Sequence, residues 1–250
     1  MYRVSPIVKQ LLIINIIFFV GSTLSFNSDF IYSLFGLYFP ENPQFKFWQI
    51  ITHMFMHGNI QHILFNMFAL WMFGSSVESI FGAKKFLFFY FKCGLGAAFI
   101  QILFLYYVFY SNLDLLVSSG YDQSIILNIL AEGKYNSSWE GILGPKGLLD
   151  FNSSFFSSMV GASGAIMGVL VAFGMFFPDS KLMLIFLPVP IKAKYFIPGI
   201  ILLDLFSAIT GQAIFSPSNT AYVAHVGGAL TGFLIMYYWK KNQFTKNRWY

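Results

Sequence analysis

The chain has 250 residues, of which 57% are hydrophobic and 20% aromatic, while only 10% carry a charge. Soluble domains usually carry about 25% charged residues, so disorder, a collagen-like fold and a typical soluble enzyme are excluded and we expect an integral membrane protein. The net charge of +5 is attributed to orientation in the lipid bilayer and not to nucleic acid, because no basic stripe with interleaved aromatic residues is present.

Six apolar stretches are long enough to cross the bilayer as helices, which takes about 20 mostly apolar residues. In chain order, the predicted spans are 8–24, 61–81, 86–110, 155–177, 195–211 and 220–239. A signal peptide is the alternative for the first stretch, since Arg3 and Lys9 precede its apolar run and small residues follow it. We expect a retained helix, because five spans would leave the tail and its flanking loops on conflicting sides. The predicted fold class is an all-α polytopic membrane protein, a six-transmembrane-helix bundle forming one domain over 1–250.

The basic residues outside the spans predict the orientation of the bundle. With the N-terminus in the cytoplasm, that side carries Arg3, Lys9, Lys84, Lys85, Lys181, Lys192, Lys194, Lys240, Lys241, Lys246 and Arg248. The opposite, outer side carries only Lys46, Lys134 and Lys146, together with most of the acidic residues. The positive-inside rule therefore predicts that both termini are cytoplasmic. The expected location is a bacterial cell (inner) membrane.

Two long connections lie on the predicted outer side. The second half of the first connection, 45–57, is aromatic and amphipathic, and we expect it to lie in the membrane interface. The second connection, 111–154, is rich in Ser, Gly and Asn. It is predicted as a long polar outer loop between spans 3 and 4, with a short helix near 125–130 and no assigned function.

Polar side chains within predicted spans are costly and are functional candidates by default, and four of them lie near the predicted outer ends of their spans. His62 and Asn66 share a face of the second span, Ser163 lies in the fourth and His225 in the sixth. At about 1.5 Å per residue, Ser163 is expected about 12 Å below the start of its span. On the same rise, Asn66 is expected about 10 Å below Asn59 and His225 about 8 Å below Thr220, so three helices bring one serine, two histidines and one asparagine to the outer third of the bilayer.

Acyl transfer is the chemistry that needs this set of groups. A serine hydroxyl becomes nucleophilic when a neighbouring imidazole takes its proton. Asparagine and histidine N–H groups can stabilise the oxyanion that forms. The glycines around Ser163 and after His225 allow close approach of the two helices.

Two alternatives compete with the catalytic interpretation. The pairs Gly164/Gly168 and Gly228/Gly232 are also ordinary helix-packing motifs, in which a serine usually packs or bonds to its own turn. A zinc site could use His53, His57 and His62, but no His-Glu-x-x-His sequence is present. Cys93 is the only cysteine, so a disulfide within the chain and a cysteine-based zinc site are excluded. No metal or organic cofactor is predicted.

At these residues the sequence resembles the rhomboid intramembrane serine proteases. The family's Gly-x-Ser-Gly, His-x-x-x-x-His-x-x-x-Asn and Ala-His-x-x-Gly-x-x-x-Gly motifs correspond to 161–164, 57–66 and 224–232. The resemblance covers about 45–240 and implies a six-span rhomboid-like core. It implies further that Ser163 is the nucleophile and His225 its general base. His62, Asn66 and the Ser163 backbone N–H would bind the oxyanion, and no acidic third member is expected.

The sequence departs from the family pattern at two positions. Trp48-Gln49 stands where the family usually has Trp-Arg, so we expect the arginine's bracing of the outer loop to be lost. Met167 replaces a frequent aromatic residue four positions after the serine. Glu78 matches an acidic position of the family and is interpreted as structural. Asp204 lies in the middle of the fifth span without an identified partner.

The resemblance implies an endopeptidase whose substrates are transmembrane segments of other proteins, entering laterally near span 5. A rhomboid-like protein that binds membrane clients without cutting them is the alternative, and the presence of both Ser163 and His225 argues against it. A transporter or channel is a third possibility. It is disfavoured because the polar residues cluster at one face and do not line a path. The oligomeric state is not predicted.

Overall fold

The structure is a computed structural model that describes residues 4–184, 187–214 and 220–243. Its helices are α1 (Pro6–Leu24), α2 (Ser28–Phe35), α3 (Gln49–Thr52), α4 (Ile60–Ala69), α5 (Ser75–Phe81), α6 (Ala83–Ser118), α7 (Gln123–Ala131), α8 (Glu140–Phe156), α9 (Ser163–Phe176), α10 (Ala193–Thr210) and α11 (Tyr222–Gln243). Short 3₁₀ helices cover His53–Phe55 and Ser137–Trp139, and a π-helical turn, Leu70–Gly74, joins α4 to α5. Strands β1 (Lys181–Leu184) and β2 (Leu187–Lys192) form an antiparallel hairpin between α9 and α10.

The predicted all-α membrane bundle is confirmed. Among the described residues, four helical segments are long and apolar enough to cross a membrane: Pro6–Leu24, Ile60–Phe81, Ala83–Ser118 and Ala193–Thr210. A shorter apolar helix, α9, accompanies them. The count of six spans stays a prediction. The predicted orientation also relies on Arg3, Lys246 and Arg248, which lie outside the described residues.

Helix α9 forms the centre of the bundle. Every residue from Gly164 to Phe173 is buried, as expected for a helix that is apolar all round. It packs against α6 on one side and α11 on another, with glycines at the contacts. A Cβ atom on Gly232 would lie 2.7 Å from the Gly168 Cα, and one on Gly228 would overlap the Gly164 carbonyl oxygen. The backbones of α9 and α11 therefore touch directly.

The fourth span begins later than the apolar pattern predicts. Helix α8 ends at Phe156, and α9 starts only at Ser163. Between them, the backbone of Met159 exchanges hydrogen bonds of 2.8 and 2.9 Å with Leu37, and Gly161 has a φ of +127° that side-chain-bearing residues rarely adopt. Ser163 is therefore the first residue of its helix and does not lie about 12 Å below the start of a longer one.

The segment 111–154, predicted as a polar loop, is mostly helical. It contains the end of α6, then α7 and most of α8, with a break at Gly144, whose φ is +69°. The short helix expected near 125–130 is present as α7. These helices enclose a second hydrophobic cluster with Phe39 of the preceding connection. The spacing of the apolar residues in 111–154 predicts these helices better than the overall polarity of the segment does, because an amphipathic helix needs only one apolar face.

Gln49 braces the first connection, contrary to the expectation that the brace is lost. Its side chain is fully buried, and its Oε1 accepts hydrogen bonds from the backbone N–H groups of Tyr38 at 3.3 Å and Lys46 at 3.1 Å. Its Nε2 donates to the carbonyl oxygens of Ser33 at 2.9 Å and Gln44 at 3.0 Å. A neutral amide thus ties together three separate parts of the connection.

We expect Gln49→Ala to loosen this connection. Four backbone groups would lose their partner, and a buried polar group left unpaired costs about 1–3 kcal/mol. The midpoint of thermal unfolding in detergent should fall, and limited proteolysis within 26–48 should accelerate. Gln123→Ala, at an exposed position of α7, is the matched control. Equal stability and proteolysis of the two variants would contradict the bracing role.

Glu78 ties the start of α1 to α5. Its carboxylate accepts hydrogen bonds from the backbone N–H groups of Ile7 at 3.0 Å and Val8 at 2.9 Å, and the Ser5 hydroxyl also donates to it. The first turn of a helix has N–H groups without intrahelical partners and a partial positive charge. The carboxylate satisfies both needs, which accounts for the structural role predicted for Glu78.

Candidate active site

Three helices begin beside one another at the predicted site. Ser163 is the first residue of α9, His62 the third of α4 and His225 the fourth of α11. The first turn of each helix presents N–H groups without intrahelical acceptors, and the helix dipole makes this end partly positive. Negative charge that develops between the three helix ends would therefore be stabilised.

Gly161 lies between two of the predicted site residues. A Cβ atom on Gly161 would lie 2.7 Å from His62 Nε2 and 3.6 Å from Ser163 Oγ. The Gly161 N–H donates to the His53 carbonyl at 2.9 Å, which fixes this turn against the helical segment before α4. The space that a side chain would fill at Gly161 is therefore bordered by the serine hydroxyl and the His62 ring.

His225 reaches the site through the contact between α11 and α9. A Cβ atom on Gly164 would lie 3.6 Å from the Ala224 carbonyl oxygen, so these two residues are in contact across the helices. Ser163 directly precedes Gly164 and His225 directly follows Ala224. The His225 side chain is 12% exposed, and its Nδ1 lies 2.8 Å from Asp204 Oδ2. In the described part of the chain no hydrogen bond joins Ser163 Oγ to His225, and Nε2 is the ring nitrogen left for that contact.

The hydrogen bonds around His62 indicate its tautomer. The Gly58 N–H donates to His62 Nδ1 at 3.4 Å, so Nδ1 acts as the acceptor and the proton is assigned to Nε2. The His62 backbone N–H is held by the Asn59 side chain at 2.8 Å, which caps the start of α4. The assigned Nε2–H therefore lies beside Gly161, on the side of the Ser163 hydroxyl.

Asn66 lies one helical turn after His62 and is 7% exposed. Within the described residues, its Nδ2 is buried without a hydrogen-bond partner. An unpaired buried donor is costly, and such a group in a native fold calls for an explanation. A negatively charged oxygen arriving with a substrate would supply the missing acceptor.

The other two histidines are buried and uncharged near neutral pH. Burial lowers the pKa of His53 to about 4, although backbone hydrogen bonds oppose the shift. Burial and the neighbouring His62 lower the pKa of His57 to about 3, and the His57 and His62 ring centroids are 5.0 Å apart. Among the residues that the structure describes, no three His, Cys, Asp or Glu side chains are grouped to hold a metal ion.

Asp204 is the site neighbour that the sequence left without a partner. Its side chain is 2% exposed and lies on α10, where it contacts His225 as given above. The family resemblance implies no acidic third member, yet the structure has a carboxylate on the histidine. The sequence identifies an acidic residue in an apolar helix as unusual. Only the structure shows that its partner lies on another helix.

Comparisons with known proteins show which family this chain is similar to. A sequence model of the Rhomboid domain matches residues 44–242. The chain is 28% identical over 214 residues to presenilin-associated rhomboid-like protein A, mitochondrial, of Danio rerio, covering 82% of this chain and 43% of that protein. The corresponding human protein shows the same identity and coverage. Rhomboid protein 1, mitochondrial, of Saccharomyces cerevisiae is 27% identical over 192 residues, covering 77% of this chain and 42% of that protein. The chain thus spans less than half the length of these relatives.

The names of these relatives contradict the predicted bacterial inner membrane. All three proteins are mitochondrial by name and come from eukaryotes. The distribution of lysine and arginine could not have prevented the wrong prediction. That distribution indicates which side of a membrane is basic and carries no information about which membrane it is.

Proposed function

This chain belongs to the rhomboid family, and we propose that it is an intramembrane serine endopeptidase that cleaves transmembrane segments of other proteins. One observation carries the proposal. Ser163 Oγ and His62 Nε2 border the same space at Gly161, next to the contact that brings α11 and His225 against α9. Family membership supports a protease in general terms, and the chemistry of these side chains supports the serine mechanism.

In the proposed reaction, Ser163 Oγ attacks the carbonyl carbon of the scissile peptide bond. A carbon–oxygen bond forms, and the hydroxyl proton passes to His225 Nε2. The carbon–nitrogen bond then breaks, and the same proton is delivered to the leaving amine. A water oxygen then bonds to the ester carbon while His225 Nε2 takes a proton from it. The bond between that carbon and Ser163 Oγ breaks, Nε2 returns the proton to Oγ, and the new carboxyl end leaves.

The oxyanion of the tetrahedral intermediate needs donors that are in place before it forms. His62 Nε2–H and Asn66 Nδ2 are side-chain donors for it, and the Ser163 N–H at the start of α9 is the backbone donor. Asn66 Nδ2, which has no hydrogen-bond partner in the described part of the chain, supports this assignment, because its acceptor would arrive with the substrate. The partial positive charge of the helix ends adds to the stabilisation.

The substrate of this reaction is a helical segment whose peptide bonds are already hydrogen-bonded within the helix. It must unwind locally before the Ser163 hydroxyl can reach a carbonyl carbon. Glycine and other poor helix formers near the cut lower that cost, glycine by about 1 kcal/mol relative to alanine. We expect lateral entry from the bilayer near α10, and the names of the relatives support a mitochondrial membrane as the setting.

Cleavage by the purified protein in liposomes tests the proposal. The substrate is a single transmembrane helix with glycine and alanine near one end, and the chelator EDTA is present throughout. We expect specific cleavage within or beside the helix that is insensitive to EDTA. Cleavage that EDTA removes and zinc restores would favour the metal alternative. Binding of the helix without any cleavage would favour a client-binding protein.

Asn66→Ala is expected to reduce turnover about 10²-fold or more if Asn66 supplies one full oxyanion donor. The substrate affinity should change little, because the donor acts on charge that develops in the transition state. The measurement compares kcat and KM with those of Asn112→Ala, a control that removes an amide bonded to its own helix at the Val108 carbonyl. A wild-type kcat for Asn66→Ala would remove it from the oxyanion site.

A further inference from the structure

Asp204 faces the interior of the bundle, although α10 exposes apolar side chains on another side. The buried residues of α10 are Ala193, Ile197, Asp204 and Ser207. Their spacing of three, four and seven residues puts them on one face of the helix. Neighbouring apolar side chains such as Leu202, Phe206 and Ile209 are exposed, as expected for a lipid-facing side. The helix therefore carries one carboxylate and turns it toward α11.

A carboxylate in this position is expensive without a partner, because burial removes the water that stabilises its charge. One partner is the His225 imidazole, at 2.8 Å between Oδ2 and Nδ1. The pair comes from two helices and is separated by 21 residues in sequence. The packing of two helices, and not a local turn of the chain, therefore positions the carboxylate beside the imidazole ring.

The contact selects one tautomer of His225. An ionised carboxylate only accepts hydrogen bonds, so Nδ1 must carry a proton to donate to it. In the neutral ring the other nitrogen, Nε2, is then unprotonated and can accept the proton of a serine hydroxyl. Because Nδ1 is fixed on Asp204, the ring orientation and the direction of Nε2 are fixed as well.

We propose that Asp204 is a positioning residue for catalysis, which holds His225 as the Nδ1–H tautomer and stabilises the imidazolium formed during proton transfer. This inference rests on the proposed function. During attack, the proton of Ser163 Oγ moves to Nε2 and the ring becomes positive. Asp204 keeps its negative charge throughout and receives no proton, so the positive ring forms beside a fixed negative charge. The site therefore acts as a triad distributed over α9, α10 and α11.

A purely structural explanation makes a different prediction. If the pair served only to hold α10 against α11, its loss would lower thermal stability and leave kcat of the folded protein unchanged. If Asp204 positions the base, its loss lowers kcat at nearly unchanged KM, because orientation and charge stabilisation matter in the transition state. The split between kcat and KM separates the two roles.

The test compares Asp204→Asn with the wild type, Asp204→Glu and Ser207→Ala in liposomes, each below its unfolding temperature. Ser207 is a buried residue on the same face of α10 and is the matched control. We expect kcat of Asp204→Asn to fall about 10²- to 10⁴-fold with KM within about twofold. Ser207→Ala should match the wild type, and Asp204→Glu, which keeps the charge, should recover part of the loss.

A wild-type kcat in Asp204→Asn, with Ser163→Ala inactive, overturns the role of Asp204 and leaves the proposed function standing. Cleavage by Ser163→Ala overturns the proposed function itself.

A second measurement tests the tautomer of His225 without any substitution at Asp204. Nitrogen-15 NMR of the four histidines in the wild-type protein reports which ring nitrogen of each is protonated, and the His225 signal is assigned by its loss in His225→Ala. We expect the neutral His225 ring to be protonated at Nδ1. Protonation at Nε2 instead would overturn the inference.

Discussion

Ser163→Ala is expected to abolish cleavage of a transmembrane substrate, with a loss of at least about 10⁴-fold. The variant removes the oxygen that would form the ester in the proposed reaction. Its stability should stay close to that of the wild type, because the side chain at this position is small and only partly buried. The measurement is the initial rate of cleavage in liposomes at a matched protein concentration.

Ser157→Ala is the control for this experiment. Ser157 is exposed and directly follows the end of α8, six residues before Ser163. Its substitution should leave the rate unchanged. An inactive His225→Ala preparation, purified in the same way, excludes contaminating proteases. If Ser163→Ala then still cleaves the substrate, the chain does not act as a serine protease.

Gly228→Ala is also expected to lower activity strongly, although residue 228 touches no substrate atom in the proposed reaction. The added Cβ would overlap the Gly164 carbonyl oxygen, and backbone atoms cannot rotate away. Helix α11 would have to move off α9, which separates His225 from Ser163. Overpacking of a core typically costs about 1–3 kcal/mol, and a misplacement of about 1 Å at a catalytic group can cost about 10²-fold in rate.

Gly199→Ala is the matched control, since it adds the same methyl group to a helical glycine. Gly199 lies within α10, and a Cβ there would meet no atom within 4 Å. We expect wild-type activity for Gly199→Ala, and for Gly228→Ala at least about a 10²-fold lower rate with a lower unfolding temperature. Equal activities of the two variants would show that the close contact of α9 and α11 does not position Ser163 and His225.

The membrane class, the helical fold and the candidate residues could be read from the sequence. A composition with 10% charge leaves few choices of environment, and polar residues in apolar spans are rare enough to stand out. The glycines predicted to allow close approach of spans 4 and 6 do so, because backbone contact between helices requires residues without a Cβ. Local composition is sufficient for these inferences.

The remaining features depend on contacts between distant parts of the chain. The start of α9 at Ser163 depends on the bridge between Leu37 and Met159, which periodicity cannot reveal. The bracing role of Gln49 follows from backbone groups up to 16 residues away. The partner of Asp204 lies on another helix. In each case the sequence identifies an unusual residue, and only the tertiary structure supplies the group that explains it.

Covalent labelling of Ser163 by a fluorophosphonate tests the central claim most directly. The reagent reports whether the hydroxyl is activated, independently of any choice of substrate. We predict stoichiometric modification at Ser163 in the wild-type protein, located by mass spectrometry, and a strongly reduced labelling rate in His225→Ala, measured below the unfolding temperature of that variant. Failure of the wild type to react, or equal labelling of the two proteins, would contradict an activated serine–histidine pair.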